Sequence, residues 1–197
     1  MRRLILARHG ESVFSVAGLL NGDPSVPGGL TPQGVSEAER LAIAIASDPI
    51  DLCIHTEFER VRQTAEVALA GRPTPTIVES RLNDPQYGRY ERADIDGYRD
   101  WAAVAGSGTR AEGGGESRQE IIERYIEGYR AVIARPEKTI LVVAHSLPIA
   151  YALGAKEGTP PRPRVPIVAY ATPYRFDGDE LDRAVAVLEA WLDDPDW

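Results

Sequence analysis

With 197 residues, 43% of them hydrophobic and 26% charged, the chain is long enough to bury one full core and has the make-up of an ordinary folded globule. A formal net charge of −8 argues against general binding to nucleic acid or to a bilayer surface, and a single cysteine, Cys53, excludes any disulfide within the chain. No stretch approaches the ~20 apolar residues of a membrane span, and Met1-Arg2-Arg3 leads into a short strand rather than a signal core, so a cytoplasmic protein is expected.

The first strand is expected over Arg3–Arg8, because a short unbroken aliphatic run suits a strand buried on both faces. Residues 10–29, rich in Gly, Pro, Ser and Asp, read as a long loop over the strand ends. Thr31 then caps a helix with Pro32 at its first position, apolar Val35, Ala38, Leu41, Ala42 and Ile45 along one face, and Pro49 beyond its end. Residues 51–55 form a second short strand in which Cys53 is a small buried residue. A second helix over 58–69 is stopped by Gly71 and Pro73, and Thr76–Val78 suits a third strand. The pattern weakens from Asn83 to Glu116, where Tyr98, Trp101 and Val104 allow a short helix over 96–105. Glycines at 106, 108 and 113–115 bracket a polar stretch that reads as a mobile lid or a solvated linker. Ser117 and Glu120 have capping-box spacing at the head of a helix over 117–134.

A fourth strand over 140–144 ends at His145, followed by a short helix over 149–154. The proline-rich stretch 159–164 is irregular, since each proline removes a backbone donor. A further strand over 167–176 and a closing helix over 180–192 complete the chain. Leu188, Trp191 and Trp197 are expected to pack on their own sheet, the alternative being an interface in a homo-oligomer. Strands alternating with helices predict one α/β domain over 1–197, three layers with a mostly parallel central sheet, and a variable cap excursion around 84–116.

Reactive pockets of open α/β sheets lie outside the carboxyl ends of the strands. His9 and His145 each follow a buried strand, so one shared site is expected. Arg8 beside His9, and Arg60 near the start of the second helix, supply the planar donor forks that phosphate oxygens favour. A surface pairing with Glu57 or Glu59 is the competing role for Arg60. A neutral histidine held by its other ring nitrogen attacks phosphorus directly, and adjacent arginines disfavour its protonated form. His55 also follows a strand and reads as structural or pocket-edge. The leaving oxygen needs a proton donor; Asp84 is the leading candidate, ahead of Glu91, Glu11 and Glu116. The histidines and carboxylates lack metal-ligand spacing, so neither metal nor cofactor is expected.

Six segments in order resemble the histidine phosphatase superfamily, which contains the cofactor-dependent phosphoglycerate mutases and many small phosphatases. They are Arg8-His9-Gly10-Glu11-Ser12, Leu30-Thr31-Pro32-Gln33-Gly34, the stretch from His55 to Ala65, Arg81-Leu82-Asn83-Asp84 with Tyr87-Gly88, Gly114-Gly115-Glu116-Ser117, and Val142-Val143-Ala144-His145-Ser146. The resemblance implies a phosphoglycerate mutase-like fold and a phosphorylated His9. It places Arg8, Arg60 and His145 around the phosphoryl group and makes Asp84 the proton donor. It further implies substrate contacts from Ser15, Asn21, Gly22 and Ser146. The chain departs from the family where Ser15 replaces a frequent Asn, Asp84 a usual Glu, and His55-Thr56-Glu57 a serine-rich stretch. The expected function is hydrolysis of a small phosphomonoester. A mutase is the alternative, disfavoured because residues 92–116 lack a long basic insertion. A non-catalytic phosphate-binding protein is the third reading.

Overall fold

The computed structural model describes residues 3–197; Met1 and Arg2 lie outside it. Among the described residues five strands form one sheet in the order β3-β2-β4-β1-β5: β1 (Arg3–Arg8), β2 (Leu52–His55), β3 (Thr76–Val78), β4 (Thr139–Ala144) and β5 (Pro173–Asp177). All neighbours are parallel except β1 and β5, so the sheet is mixed with a parallel centre.

The two central strands bury every apolar residue they carry, and alternate residues feed opposite faces. Leu4, Leu6, Ile140 and Val142 face α5 (Arg118–Ile133), α6 (Ser146–Lys156) and α7 (Glu180–Asp193). Ile5, Ala7, Leu141 and Val143 face α2 (Pro32–Ala44) and α3 (Glu59–Ala68). Cys53 sits in this second core, and burial pushes its thiol up to about 12, so it remains an inert packing group. Leu188 and Trp191 are buried in the larger core, with Trp197 stacked on Trp191.

Helix α2 begins as its sequence dictates, with the Thr31 hydroxyl accepting from the Gly34 amide. Ser117 and Glu120 form the full capping box of α5. Three elements differ from expectation. A one-turn helix, α1 (Val13–Val16), interrupts the glycine-rich loop, capped by Ser12. Helix α6 starts at Ser146, three residues early; Pro148 fits its first turn because amides there have no partner within the helix. The strand expected over 167–176 is confined to its end. The amide of Val168 is taken by the Ser146 hydroxyl and its carbonyl by Arg8, so neither is left for a sheet neighbour. Residues 167–170 therefore run across the strand ends instead of along a ladder.

A third small cluster of Leu20, Tyr87, Tyr98 and Ala102 joins α4 (Ile95–Val104) to the first loop. The glycine-bracketed stretch after α4 is tied down rather than poised over the site. Ser107 is buried against the Trp197 carbonyl, Gln119 donates its amide to the Ser107 carbonyl, and Arg89 donates its amide to that of Glu112.

Candidate active site

Because β1 and β4 run in parallel with Arg8 opposite Ala144, the residues that follow them leave the sheet together. The rings of His9 and His145 stand edge to face, 5.5 Å between centroids. His9 lines a cavity of about 330 Å³, and His145 is buried behind it. The cavity wall is completed by α1, the segment after Asp84, α4 and the irregular residues 163–170.

Arg60, in the first turn of α3, is 4% exposed and turned inward rather than toward Glu57 or Glu59. Its Nε donates to His9 Nε2 at 3.3 Å. One terminal nitrogen donates to the Asn21 carbonyl at 3.2 Å and to Asp84 Oδ2 at 2.9 Å. That nitrogen lies 3.4 Å from His145 Nδ1. The Phe58 ring supports the guanidinium at 4.3 Å and meets His145 edge-on. Arg8 donates to the Val168 carbonyl and stacks on Tyr170 at 3.9 Å, while its Nε has no partner among the described residues.

The hydrogen bonds assign the ring protons. His9 Nδ1 donates to the Gly10 carbonyl at 2.7 Å, which leaves the Nε2 lone pair facing the cavity. His145 Nδ1 lies 3.1 Å from Asp84 Oδ2 and donates to it, and Nε2 accepts from the Thr56 hydroxyl at 3.0 Å. Burial, then Arg60 and Arg8, hold His9 well below the ordinary imidazole range. Burial also lowers His145, against the pull of Asp84. Burial alone would raise the Asp84 carboxyl; His145 and Arg60 outweigh it and hold the group below the usual carboxylate range. The chemical result is an uncharged imidazole beside two fixed cations, with a carboxylate facing the same space.

Burying two neutral histidines makes stability depend on pH. Below pH 6.5 the unfolded chain binds protons that the folded chain refuses, so stability falls as pH drops from that point. Each ring adds up to ~1.4 kcal/mol per pH unit to this slope. In urea titrations between pH 6 and 5, His9→Gln is expected to reduce the slope by about that amount, and an unchanged slope would mean that folding does not suppress protonation of His9.

The close fit of the loop after β1 is glycine-dependent. A Cβ on Gly10 would strike the Gly34 carbonyl, and one on Gly34 would strike that of Glu11, so only glycine lets the head of α2 lie against the His9 loop. Thr64 adds a second tie. Its hydroxyl accepts from the Gly10 amide and donates to the Arg60 carbonyl, joining the His9 loop to the first turn of α3.

The remaining anticipated residues divide. Ser15 lines the cavity with its hydroxyl paired to that of Ser12, and Ser146 lines it while holding Val168. Asn21 lines it with both amide atoms buried and unpartnered among the described residues. Gly22 stands behind the wall instead, because its amide is taken by Glu91 and a Cβ there would hit Pro85. His55 bonds the Thr56 carbonyl outside the lining. The lesser acid candidates are occupied elsewhere: Glu91 accepts the Gly22 and Tyr87 amides, Glu11 accepts from Thr31, and Glu116 pairs with Arg124. Tyr170 and Arg118 line the cavity and Thr56 bonds His145 behind it; none of the three had a role assigned from the sequence, because only contact with distant elements brings them there.

A chain that joins these two histidines, Arg8 and Arg60 on this sheet has a family to be compared with. The sequence profile of the histidine phosphatase superfamily (branch 1) matches residues 4–188, and the chain belongs to that superfamily, whose phosphatases act through a phosphohistidine. A relative at 30% identity over 152 residues, 73% of either chain, is the adenosylcobalamin/alpha-ribazole phosphatase of Salmonella typhimurium. The alpha-ribazole phosphatase of Shigella flexneri superposes with a TM-score of 0.73 at 25% identity, covering 89% of this chain and 90% of that one. Bacillus stearothermophilus YhfR shares the fold at a TM-score of 0.77 and 23% identity, over 89% and 90% of the two chains.

Proposed function

We propose that the protein hydrolyses a small phosphomonoester, with His9 as the nucleophile. The observation that carries this reading is the unprotonated Nε2 of His9, its tautomer fixed by the Gly10 carbonyl and its lone pair met by the Nε of Arg60, a group that can pass to a phosphate oxygen. In the first step His9 Nε2 attacks phosphorus in line. Arg8 and Arg60 hold the equatorial oxygens, and His145 donates its Nδ1 proton toward them once Asp84 releases it. An anionic phosphate draws the charge of Arg60 away from Asp84 and sets a like charge beside the carboxylate; both raise it toward protonation. Asp84 then gives its proton to the departing alkoxide, and in the second step takes one from the water that cleaves the phosphohistidine. Guanidinium and imidazole groups supply the positive charge, so the proposal is metal-independent. A cavity of about 330 Å³ suits a small organic phosphate. With net charge −8, and no helix of the described residues long and apolar enough to cross a membrane, the proposed setting is the cytoplasm, without nucleic acid or membrane partners.

Asp84→Asn tests the reading through the leaving group. Phosphate release from an alkyl phosphate, whose alkoxide needs the proton, is expected to fall about 10²-fold, against less than about tenfold for a nitrophenyl phosphate. Equal losses on both would remove Asp84 as the acid. Isomerisation of a phosphoglycerate outrunning phosphate release would replace hydrolysis by a mutase.

A further inference from the structure

One cation in the cavity takes no part in this chemistry. Arg118 opens α5, is 9% exposed, and lines the same cavity as His9 and Arg60. Among the described residues it forms no ion pair, and its Nε and one terminal nitrogen are buried without a hydrogen-bond partner. Its neighbours are tyrosines: the Tyr98 ring 5.5 Å from the guanidinium carbon, Tyr151, which shares a hydrogen bond with it, and Tyr87 and Tyr125 nearby. Tyrosine faces tolerate a cation but do not satisfy its N–H groups. The other arginines at the rim differ: Arg164 is exposed and pairs with Asp100, and Arg99 is half-buried near Asp96. A buried guanidinium without a carboxylate is unfavourable unless something anionic reaches it. The cavity that Arg118 lines is the one that holds His9 and Arg60.

We propose that Arg118 receives a second anionic group of the substrate, a carboxylate or a further phosphate, carried at the other end of the molecule from the phosphorus under attack. The inference rests on the cavity being a phosphomonoesterase site. It narrows the substrate class to phosphomonoesters with two anionic ends. Between them Leu20, Ile95, Leu147 and Val165 line the wall, so the connecting body lies against apolar side chains. Arginine suits the task because its fork meets two oxygens of a carboxylate or phosphate at once. The functional consequence is selectivity: substrates lacking the second anion leave those N–H groups unsatisfied.

The test uses the whole protein and a series of ω-carboxyalkyl phosphates of increasing chain length, each measured against the plain alkyl phosphate of equal length. At the best length the carboxylated member is expected to be preferred by about 10²-fold in kcat/KM. In Arg118→Met that ratio is expected to collapse to within about threefold of unity, with Arg118→Lys intermediate because a point charge replaces the fork. A matching series of alkane bisphosphates identifies the source of the second anion, since whichever series shows the larger Arg118-dependent preference names it. Wild-type protein with no preference at any length in either series would overturn the proposal. So would Arg118→Met lowering both members of each pair equally, which would make the residue a positioning group only. If that variant does not fold, the wild-type ratios decide alone. Failure of the underlying phosphatase reading shows separately, as no phosphate release from the plain alkyl members or from nitrophenyl phosphate.

Discussion

Replacing His9 by alanine is expected to lower turnover of nitrophenyl phosphate by about 10⁴-fold or more, the loss that follows removal of a covalent nucleophile. No other group in the cavity is placed to substitute. His145 spends both ring nitrogens on Asp84 and Thr56, and His55 stands outside the lining. Alanine leaves the Gly10–Gly34 contact and the Thr64 ties untouched, since these are made by other residues. The variant therefore folds and still binds phosphate through Arg8 and Arg60. The check is twofold: steady-state phosphate release, and the acid-labile phosphoprotein that wild type yields when stopped within a turnover. Near-normal turnover, or an undiminished labile phosphoprotein in His9→Ala, would end the nucleophile assignment.

The second large effect is expected at Arg60. Arg60→Met removes a guanidinium that reaches His9, Asp84 and the Asn21 carbonyl at once, and kcat/KM is expected to fall about 10³-fold. The pH profile separates this loss from simple disorder. After burial, the Arg60 charge is the largest influence lowering His9. Its removal lets that ring protonate more readily, so the acid limb of kcat/KM moves up toward the ordinary imidazole value. Arg60→Lys keeps a charge without the fork, so it is expected to recover part of the pH position and little of the rate. A loss below about tenfold in Arg60→Met would take this residue out of the phosphate clamp.

Much of this site was readable from the chain because it depends on local order. Arg8 and His9 follow one buried strand and His145 another, and parallel pairing brings strand ends together whatever else the fold does. The head of α2 was equally legible, since Thr31, Pro32 and Gly34 act within one turn. What was hidden depends on distant contacts. Arg118 lies off the apolar pattern of its helix, yet it is buried beside Tyr98 of a separate helix. Thr56 looks like any residue after a strand until His145 arrives from 89 positions away. Residues 167–170 have strand-like composition, yet Arg8 and Ser146 capture the polar groups of Val168. The glycine-rich stretch misled in the opposite direction: composition suggests mobility, whereas Ser107 is anchored to the Trp197 carbonyl.

A single hydroxyl, that of Thr64, grips the backbone beside His9 and the backbone of Arg60. The His9 half of the pocket is thereby inelastic, its members unable to drift apart independently. The facing half is carried by α4 and α5, which contribute Tyr98 and Arg118. Evolution is thus offered a division of labour in which clientele is exchanged on one side while the reaction itself is inherited unchanged on the other.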